Sequence, residues 1–199
     1  MEITAEQVKE LREKTGVGIM DCKKALKETD GDLEKAVDYL RKKGIATAQK
    51  RGGRATSEGQ VASYIHAGGK IGVLVEVNCE TDFSGKTDDF TKFARNLAMH
   101  IAATNPISVD RESVPEDVIN RERDIYRTQA LESGKPEKIV DKIIDGKMNK
   151  FFAEACLLEQ PFVKNPDITI QDLLNEMIAK TGENIVIRRF ARYQLGEEL

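Results

Sequence analysis

One stretch organises the fold: Ile71-Gly72-Val73-Leu74-Val75-Glu76-Val77-Asn78-Cys79-Glu80-Thr81-Asp82-Phe83. Apolar residues alternate through its first part, and this period of two predicts a strand with one buried face. Glu76 and Asn78 lie on the other face, which indicates partial solvation there. The strand runs into an acidic turn that ends on Phe83, an aromatic that no local turn chemistry requires. Phe83 either folds back onto its own core, which the residues alone favour, or stays exposed for a partner to cover.

Two further strands are predicted beside this one. Residues 61–66 alternate in the same way and lead into Gly68-Gly69, a pair typical of a hairpin turn. Residues 184–195 alternate again, with Ile185 and Ile187 on one face. A hairpin followed by a returning strand predicts an antiparallel three-stranded sheet with helices packed against it, which is an α+β fold.

A helical hairpin is predicted between the second and third strands. One helix opens near Pro115 and stops at Ser133-Gly134, and the next has Pro136 near its first turn. Because the connection is short, the two helices are expected to be antiparallel neighbours. Gln160-Pro161-Phe162 and Asn165-Pro166-Asp167, which follow the hairpin, indicate loops.

The N-terminal 44 residues predict three short helices. Thr4 and Gln7 have the spacing of a capping box at the first helix. Gly16 and Gly18 permit a tight turn before the second helix. Gly44 follows a basic last turn and is expected to cap the third helix. A helical unit of this size is marginally stable alone and is typical of a docking module.

A domain boundary is predicted soon after this unit. Residues 45–59 show no clear period and indicate a linker, or a short helix followed by a loop. Residues 1–54 contain 13 Lys or Arg against 10 Asp or Glu, whereas the rest of the chain contains 18 against 24. We therefore predict a helical docking module with its linker over residues 1–54 and an α+β core over residues 55–199.

Composition narrows the class of protein. The chain of 199 residues has a formal net charge of −3, so bulk electrostatics do not favour a nucleic-acid binder. No apolar run approaches the ~20 residues that a membrane span requires. The cysteines, which are Cys22, Cys79 and Cys156, show neither metal spacing nor a disulfide framework, so we expect a cytoplasmic protein without a metal or cofactor.

The sequence contains no catalytic constellation. His66 and His100 are the only histidines and lack a metal-binding or nucleophile pattern, and no phosphate-binding glycine motif is present. Cys79 lies beside acidic residues, which would raise the pKa of its thiol, so a small core residue is favoured over a nucleophile. Glu80 and Asp82 are neighbours that would repel each other rather than form an acid–base pair. A binding protein is therefore favoured over an enzyme.

Several long motifs resemble the elongation factor Ts family. They occur in the family's order and cover nearly the whole chain. In sequence order they are residues 15–26 (TGVGIMDCKKAL), 75–83 (VEVNCETDF), 97–102 (LAMHIA), 158–163 (LEQPFV) and 182–190 (GENIVIRRF). The length of the chain is similar to that of the compact members of the family.

The resemblance implies a guanine-nucleotide exchange factor for elongation factor Tu, the translational GTPase. It implies that the N-terminal helices are of the ubiquitin-associated-like type and dock on the GTPase through the positions Val17, Gly18, Ile19 and Met20. It further implies that the Thr81-Asp82-Phe83-Ser84 turn intrudes into the GTPase and disturbs its Mg²⁺ site. Compact members of the family also self-associate, which implies a homodimer formed through the C-terminal core.

One position departs from the family pattern. The family usually has valine after Thr-Asp-Phe, whereas this chain has Ser84 followed by Gly85, which we expect to loosen the turn. Two other functions stay open. The first is an interaction scaffold whose helical module binds another protein, and the second is an RNA-binding factor that uses Lys50, Arg51 and Arg54. Because no aromatic residues are interleaved with these basic residues, RNA binding is the weaker alternative.

Overall fold

The structure, a computed structural model, describes residues 3–133 and 136–197. The helices are α1 (Ala5–Thr15), α2 (Ile19–Glu28), α3 (Leu33–Arg51), the short α4 (Asp82–Gly85), α5 (Asp88–Thr104), α6 (Glu116–Glu132), α7 (Glu137–Ala155) and α8 (Ile170–Thr181). The strands are β1 (Glu58–Ile65), β2 (Ile71–Cys79), β3 (Pro161–Phe162), β4 (Asn165–Thr169) and β5 (Ile185–Gln194). The predicted α+β architecture, with three N-terminal helices and an antiparallel three-stranded sheet, is confirmed.

The three-stranded sheet has the order β1-β2-β5, so the stretch that organises the fold is its central strand. Val73, Val75 and Val77 are buried, and this confirms the predicted inner face. Asn78 is also buried, so the expectation of a partly solvated outer face is wrong at this end of the central strand. Gly59 of β1 has a φ of +136°, and an added Cβ would lie 2.1 Å from the carbonyl oxygen of Val77. Only glycine fits this close approach between two backbones.

The described chain divides into two compact units. The first contains residues 1–60, 77–94 and 172–186, and the second contains residues 61–76, 95–171 and 187–199. Each unit is therefore assembled from separate pieces of the chain.

The first unit contains the N-terminal helices and their core. The Thr4 hydroxyl oxygen at the start of α1 accepts a hydrogen bond from the Gln7 backbone N–H, and the Gln7 side-chain oxygen accepts one from the Thr4 backbone N–H, so the predicted capping box is confirmed. The buried cluster draws on all three helices and comprises Val8, Leu11, Cys22, Ala25, Leu26, Ala36 and Leu40. The three predicted helices thus pack as one small module.

The third helix is longer than the sequence predicts. α3 continues to Arg51, so the expected cap at Gly44 is wrong and the irregular linker is confined to residues 52–57. Gly44 is buried in the middle of α3, where an added Cβ would lie 3.2 Å from the Cβ of Ala179 in α8. The glycine therefore permits close contact between helices, and its packing outweighs its low helix propensity.

The second unit contains the helical hairpin, which confirms that prediction. α6 and α7 bury a cluster of Ala130, Val140, Ile144 and Met148. The expected stop at Ser133-Gly134 is partly observed, because Ser133 caps α6 while Gly134 lies outside the described residues.

The segments after the hairpin, which the sequence indicated as loops, form a small antiparallel sheet of β3 and β4, so that prediction is wrong. Phe162 in β3 is buried. Its burial stabilises the strand pairing more than the turn preference of the two prolines opposes it. Among the helices of the described residues, none is long and apolar enough to cross a membrane.

Candidate functional site

The aromatic turn, residues 81–85, follows directly on the central strand. Thr81 is the N-cap of α4, and its hydroxyl oxygen accepts a hydrogen bond from the backbone N–H of Ser84 at 3.3 Å. The predicted turn is thus one turn of helix. A single helical turn is not stable alone, so its geometry depends on contacts with the rest of the unit.

Phe83 extends from this turn into solvent. Its side chain is 83% exposed, so the placement in the core that the residues alone favoured is wrong. Because aromatic residues are enriched at protein–protein interfaces, the exposed ring is a candidate contact for a partner. Beside it, the Asp82 carboxylate accepts a hydrogen bond from Lys86 Nζ at 2.7 Å, and this contact raises the pKa of Lys86. Both of these side chains are exposed, so we assign the pair no role in stability.

Ser84 and Gly85 are buried, and the turn is not loose as the sequence suggested. The carbonyl oxygen of Ser84 accepts a hydrogen bond from Thr87 Oγ1 at 2.9 Å. The carbonyl oxygen of Gly85 accepts one from Gln60 Nε2 at 2.6 Å, and an added Cβ at Gly85 would lie 3.3 Å from Cys79 Sγ. The small residues therefore allow the turn to pack tightly. Ser84 contributes through these internal contacts, since its side chain does not reach the surface.

The bracing loop, residues 181–184, follows α8 and holds the start of the aromatic turn. The Glu183 carboxylate accepts hydrogen bonds from the Thr81 backbone N–H at 3.0 Å and from the Thr81 hydroxyl at 2.6 Å. These two residues are separated by 102 positions in the sequence. The aromatic turn is therefore fixed by tertiary contacts.

Glu80 joins the same network from the other side. Its carboxylate accepts a hydrogen bond from the Asn184 backbone N–H at 2.6 Å and forms ion pairs with Arg51 at 3.4 Å and Arg54 at 3.3 Å. The bond from Asn184, followed by the contacts with the two arginines, lowers the pKa of Glu80. Asn184 also donates its side-chain N–H to the Arg54 carbonyl oxygen at 2.9 Å. The end of α3, the end of β2 and the bracing loop thus converge on one carboxylate.

Cys79 supports the aromatic turn through a buried hydrogen bond and is not a nucleophile. Its thiol donates to the Thr81 carbonyl oxygen at 3.1 Å and is fully buried. Burial raises the pKa of the Cys79 thiol, and the negative charge of Glu183 adds to this, which agrees with the direction expected from the sequence. A neutral, buried thiol is a packing residue.

The candidate docking residues lie at the start of α2. Gly18 is the N-cap, and Ile19 and Met20 in the first turn are 53% and 77% exposed. Val17 is partly buried against the core of the helical module, so it supports the loop from within. Both apolar side chains of the first turn are therefore available to a partner, as Phe83 is, and all three lie in the first unit.

Comparison with known proteins identifies the family. The family model described as "Elongation factor TS" matches residues 45–197. The elongation factor Ts of Desulfosudis oleivorans is 68% identical over 195 residues, which is 98% of this chain and 98% of the relative. The chain belongs to the elongation factor Ts family. Two further elongation factor Ts proteins align over all of this chain: that of Syntrophus aciditrophicus is 62% identical, with 99% of its length covered, and that of Geobacter sulfurreducens is 64% identical, with 92% covered.

Elongation factor Ts proteins are nucleotide-exchange factors for elongation factor Tu in translation elongation, and they are not enzymes. The family motifs identified most residues of the aromatic turn and the docking residues 17–20. They did not identify the contacts that hold the aromatic turn in place. Sequence reasoning missed the roles of Glu80 and Glu183, and of Arg51 and Arg54, which it considered only as RNA contacts. One signal was present, because Glu183 and Asn184 belong to a family motif directly after the end of a helix.

Proposed function

We propose that this elongation factor Ts chain promotes GDP release from elongation factor Tu by inserting Phe83 into the GTPase. The observation that carries this proposal is the 83% exposure of Phe83 at the tip of a turn that hydrogen bonds hold in place. Asp82 is the polar neighbour that enters with it. Thr81 and Ser84 shape the turn from within, and together the four residues disturb the Mg²⁺ site of the GTPase.

The mechanism requires no chemistry from the exchange factor. A GTPase holds GDP through phosphate-loop amides and Mg²⁺. The exchange factor must bind the nucleotide-free form more tightly than the GDP form. By linkage, the factor by which it weakens GDP binding equals the factor by which GDP weakens its own binding. If Phe83 is buried only in the nucleotide-free complex, the free energy of its burial stabilises that complex and therefore accelerates GDP release.

Removal of the Phe83 ring tests this proposal. Burial of a phenylalanine is worth about 1.5–3 kcal/mol, so Phe83→Ala is expected to slow GDP release by about tenfold to a hundredfold. The measurement is stopped-flow release of fluorescent GDP from elongation factor Tu at increasing concentrations of the full chain. Because the side chain is exposed, the free energy of unfolding should be unchanged.

Ile107→Ala is the matched control, since Ile107 is 51% exposed but lies in the second unit. If Phe83→Ala released GDP as fast as the parent chain while Ile107→Ala did the same, the insertion of Phe83 would be refuted.

Docking through the N-terminal helices is the second part of the proposal. Residues 1–54 act as the docking module, with Ile19 and Met20 as its contacts and Val17 and Gly18 as the loop that presents them. The exposure of the two apolar side chains at the start of α2 supports this role. Residues 55–199 then carry exchange and self-association.

Self-association is the third part of the proposal. The second unit exposes apolar side chains on its strands and directly after β5: Ile65, Leu74, Tyr193 and Leu195 line one cavity, and Val61 is exposed on β1. An exposed apolar surface such as the one that Ile65, Leu74, Tyr193 and Leu195 line is typical of a protein–protein interface. We assign it to a second copy of the chain, because compact family members associate through their C-terminal cores.

A further inference from the structure

Both oxygens of the Glu183 carboxylate are engaged by one residue of the aromatic turn. Oε2 accepts the Thr81 backbone N–H at 3.0 Å, and Oε1 accepts the Thr81 hydroxyl at 2.6 Å. The Thr81 hydroxyl has one proton, and when this proton is donated to Glu183 the lone pairs of Thr81 Oγ1 point away from the carboxylate. Thr81 Oγ1 then accepts a hydrogen bond from the Ser84 backbone N–H at 3.3 Å. Glu183 therefore orients the hydroxyl that caps the first turn of α4.

Glu183 is itself held on both sides within the bracing loop. Gly182 has a φ of +70° and ends α8 with a hydrogen bond from its N–H to the Ile178 carbonyl oxygen at 2.8 Å. The Glu183 N–H donates to Thr181 Oγ1 at 3.3 Å. On the other side, Asn184 is buried and donates its backbone N–H to Glu80. A carboxylate on a loop anchored in this way is a fixed support for the turn.

From these contacts we propose that Glu183 is a positioning residue for nucleotide exchange, acting through Phe83. Phe83 lies two residues after Thr81, on a helical turn too short to hold its own shape. Without the carboxylate, the cap loses its charged acceptor and the exposed ring samples more directions. The complex must then order the ring on binding, which weakens the contact that only the nucleotide-free GTPase makes. This inference rests on the proposed function of Phe83.

The expected effect is on the rate rather than on docking. Glu183→Ala removes both hydrogen bonds that the carboxylate accepts from Thr81, and we expect a fall of at least about tenfold in the maximal GDP-release rate. The concentration of the chain that gives half the maximal rate should stay within about twofold, because the first turn of α2 is unchanged. Glu183→Gln keeps one acceptor oxygen and should recover part of the rate.

A double-mutant cycle distinguishes positioning from direct contact with the partner. Stopped-flow release of fluorescent GDP from elongation factor Tu is measured for the full chain and for Phe83→Ala, Glu183→Ala, Glu183→Gln and the Phe83→Ala/Glu183→Ala pair. If Glu183 acts through Phe83, its replacement should change the rate by less than about twofold once the ring is absent. A further tenfold loss in the pair would overturn the inference, because Glu183 would then act independently of the ring.

Two controls keep the outcomes separate. Glu176→Gln neutralises another carboxylate of the first unit and should leave the release rate unchanged. Thermal unfolding of every variant shows whether the fold is intact, and the near-isosteric Glu183→Gln carries the test if Glu183→Ala does not fold. If Phe83→Ala slows release and folded Glu183 variants do not, the inference alone fails. If Phe83→Ala itself has no effect, the proposed function and the inference fail together.

Discussion

At the scale of single residues, His100 shows how a buried titratable group is kept neutral. Its Nδ1 accepts the Val163 N–H at 3.3 Å, so the ring proton lies on Nε2, which bonds Gln160 Oε1 at 2.9 Å. Gln160 in turn donates to the Glu154 carbonyl oxygen, and the side chain of Thr104 also contacts its amide oxygen. Burial lowers the pKa of His100, and the bond to Gln160 opposes this in part. The motif of residues 97–102, to which the sequence assigned no role, therefore contributes His100 to a structural hydrogen-bond network in the second unit.

This network predicts a pH dependence of stability. The pKa of His100 lies below its unfolded value of about 6.5, so the unfolded chain binds the proton more readily. The contribution of His100 is fully present above about pH 6.5, and it is lost as the pH falls from there through the folded pKa. The midpoint of urea unfolding should therefore decrease between about pH 6.5 and pH 5.

His100→Gln should flatten this decrease, whereas replacement of the exposed His66 by glutamine should leave it in place. A decrease of the same size in His100→Gln would show that other groups cause it.

At the scale of elements, helix ends decide where the functional side chains lie. α3 extends past Gly44 because the glycine lets it contact α8, and the extension brings Arg51 to Glu80. α2 begins at Ile19, and its N-cap Gly18 has no side chain, so no capping side chain lies beside the exposed residues of the first turn. Hydrophobic periodicity predicted both helices, but their first and last residues depend on tertiary packing.

The first turn of α2 predicts a separation of docking from exchange. Replacement of both Ile19 and Met20 by alanine removes apolar area that we propose is buried on the GTPase. The chain concentration needed for half-maximal GDP release should rise by about tenfold or more, while the maximal rate stays within about twofold. The measurement is the concentration dependence of fluorescent-GDP release.

Val37→Ala is the matched control, because Val37 is 36% exposed on α3 of the same module. An unchanged half-maximal concentration in the Ile19/Met20 double variant would contradict docking at the start of α2.

At the scale of the whole molecule, the sequence predicted the class of fold and most of its helices and strands. Hydrophobic periodicity is a local signal, and it was sufficient for the central strand, its hairpin and the α6–α7 pair. It failed where tertiary contacts outweigh local preference, as at Gly44, Phe162 and Asn78. Periodicity could not predict the exposure of Phe83 for the same reason. The turn that carries Phe83 is held by Glu183, which lies 102 positions after Thr81 in the sequence.

The exposed apolar face of the second unit predicts a dimer in solution. Leu74 lies on the central strand and is 49% exposed, and a charge at its position would be buried unpaired in the interface. Leu74→Lys is therefore expected to convert the dimer that we propose for the parent chain to a monomer, as measured by multi-angle light scattering.

Ile107→Lys adds the same charge at an exposed position that belongs to no strand and should leave the mass unchanged. A parent chain that is monomeric at high micromolar concentration would refute self-association through this face.

The contact between Thr81 and Glu183 also bears on the order in which the protein acquires its parts during synthesis. The N-terminal helices need only their own residues to bury the cluster around Leu26. The support for the aromatic turn comes from Glu183, which follows Thr81 by 102 positions in the sequence. A nascent chain that has not yet reached Glu183 therefore holds the docking residues of α2 but not the brace. The capacity to release GDP is thus expected to appear only after Glu183 has been synthesised.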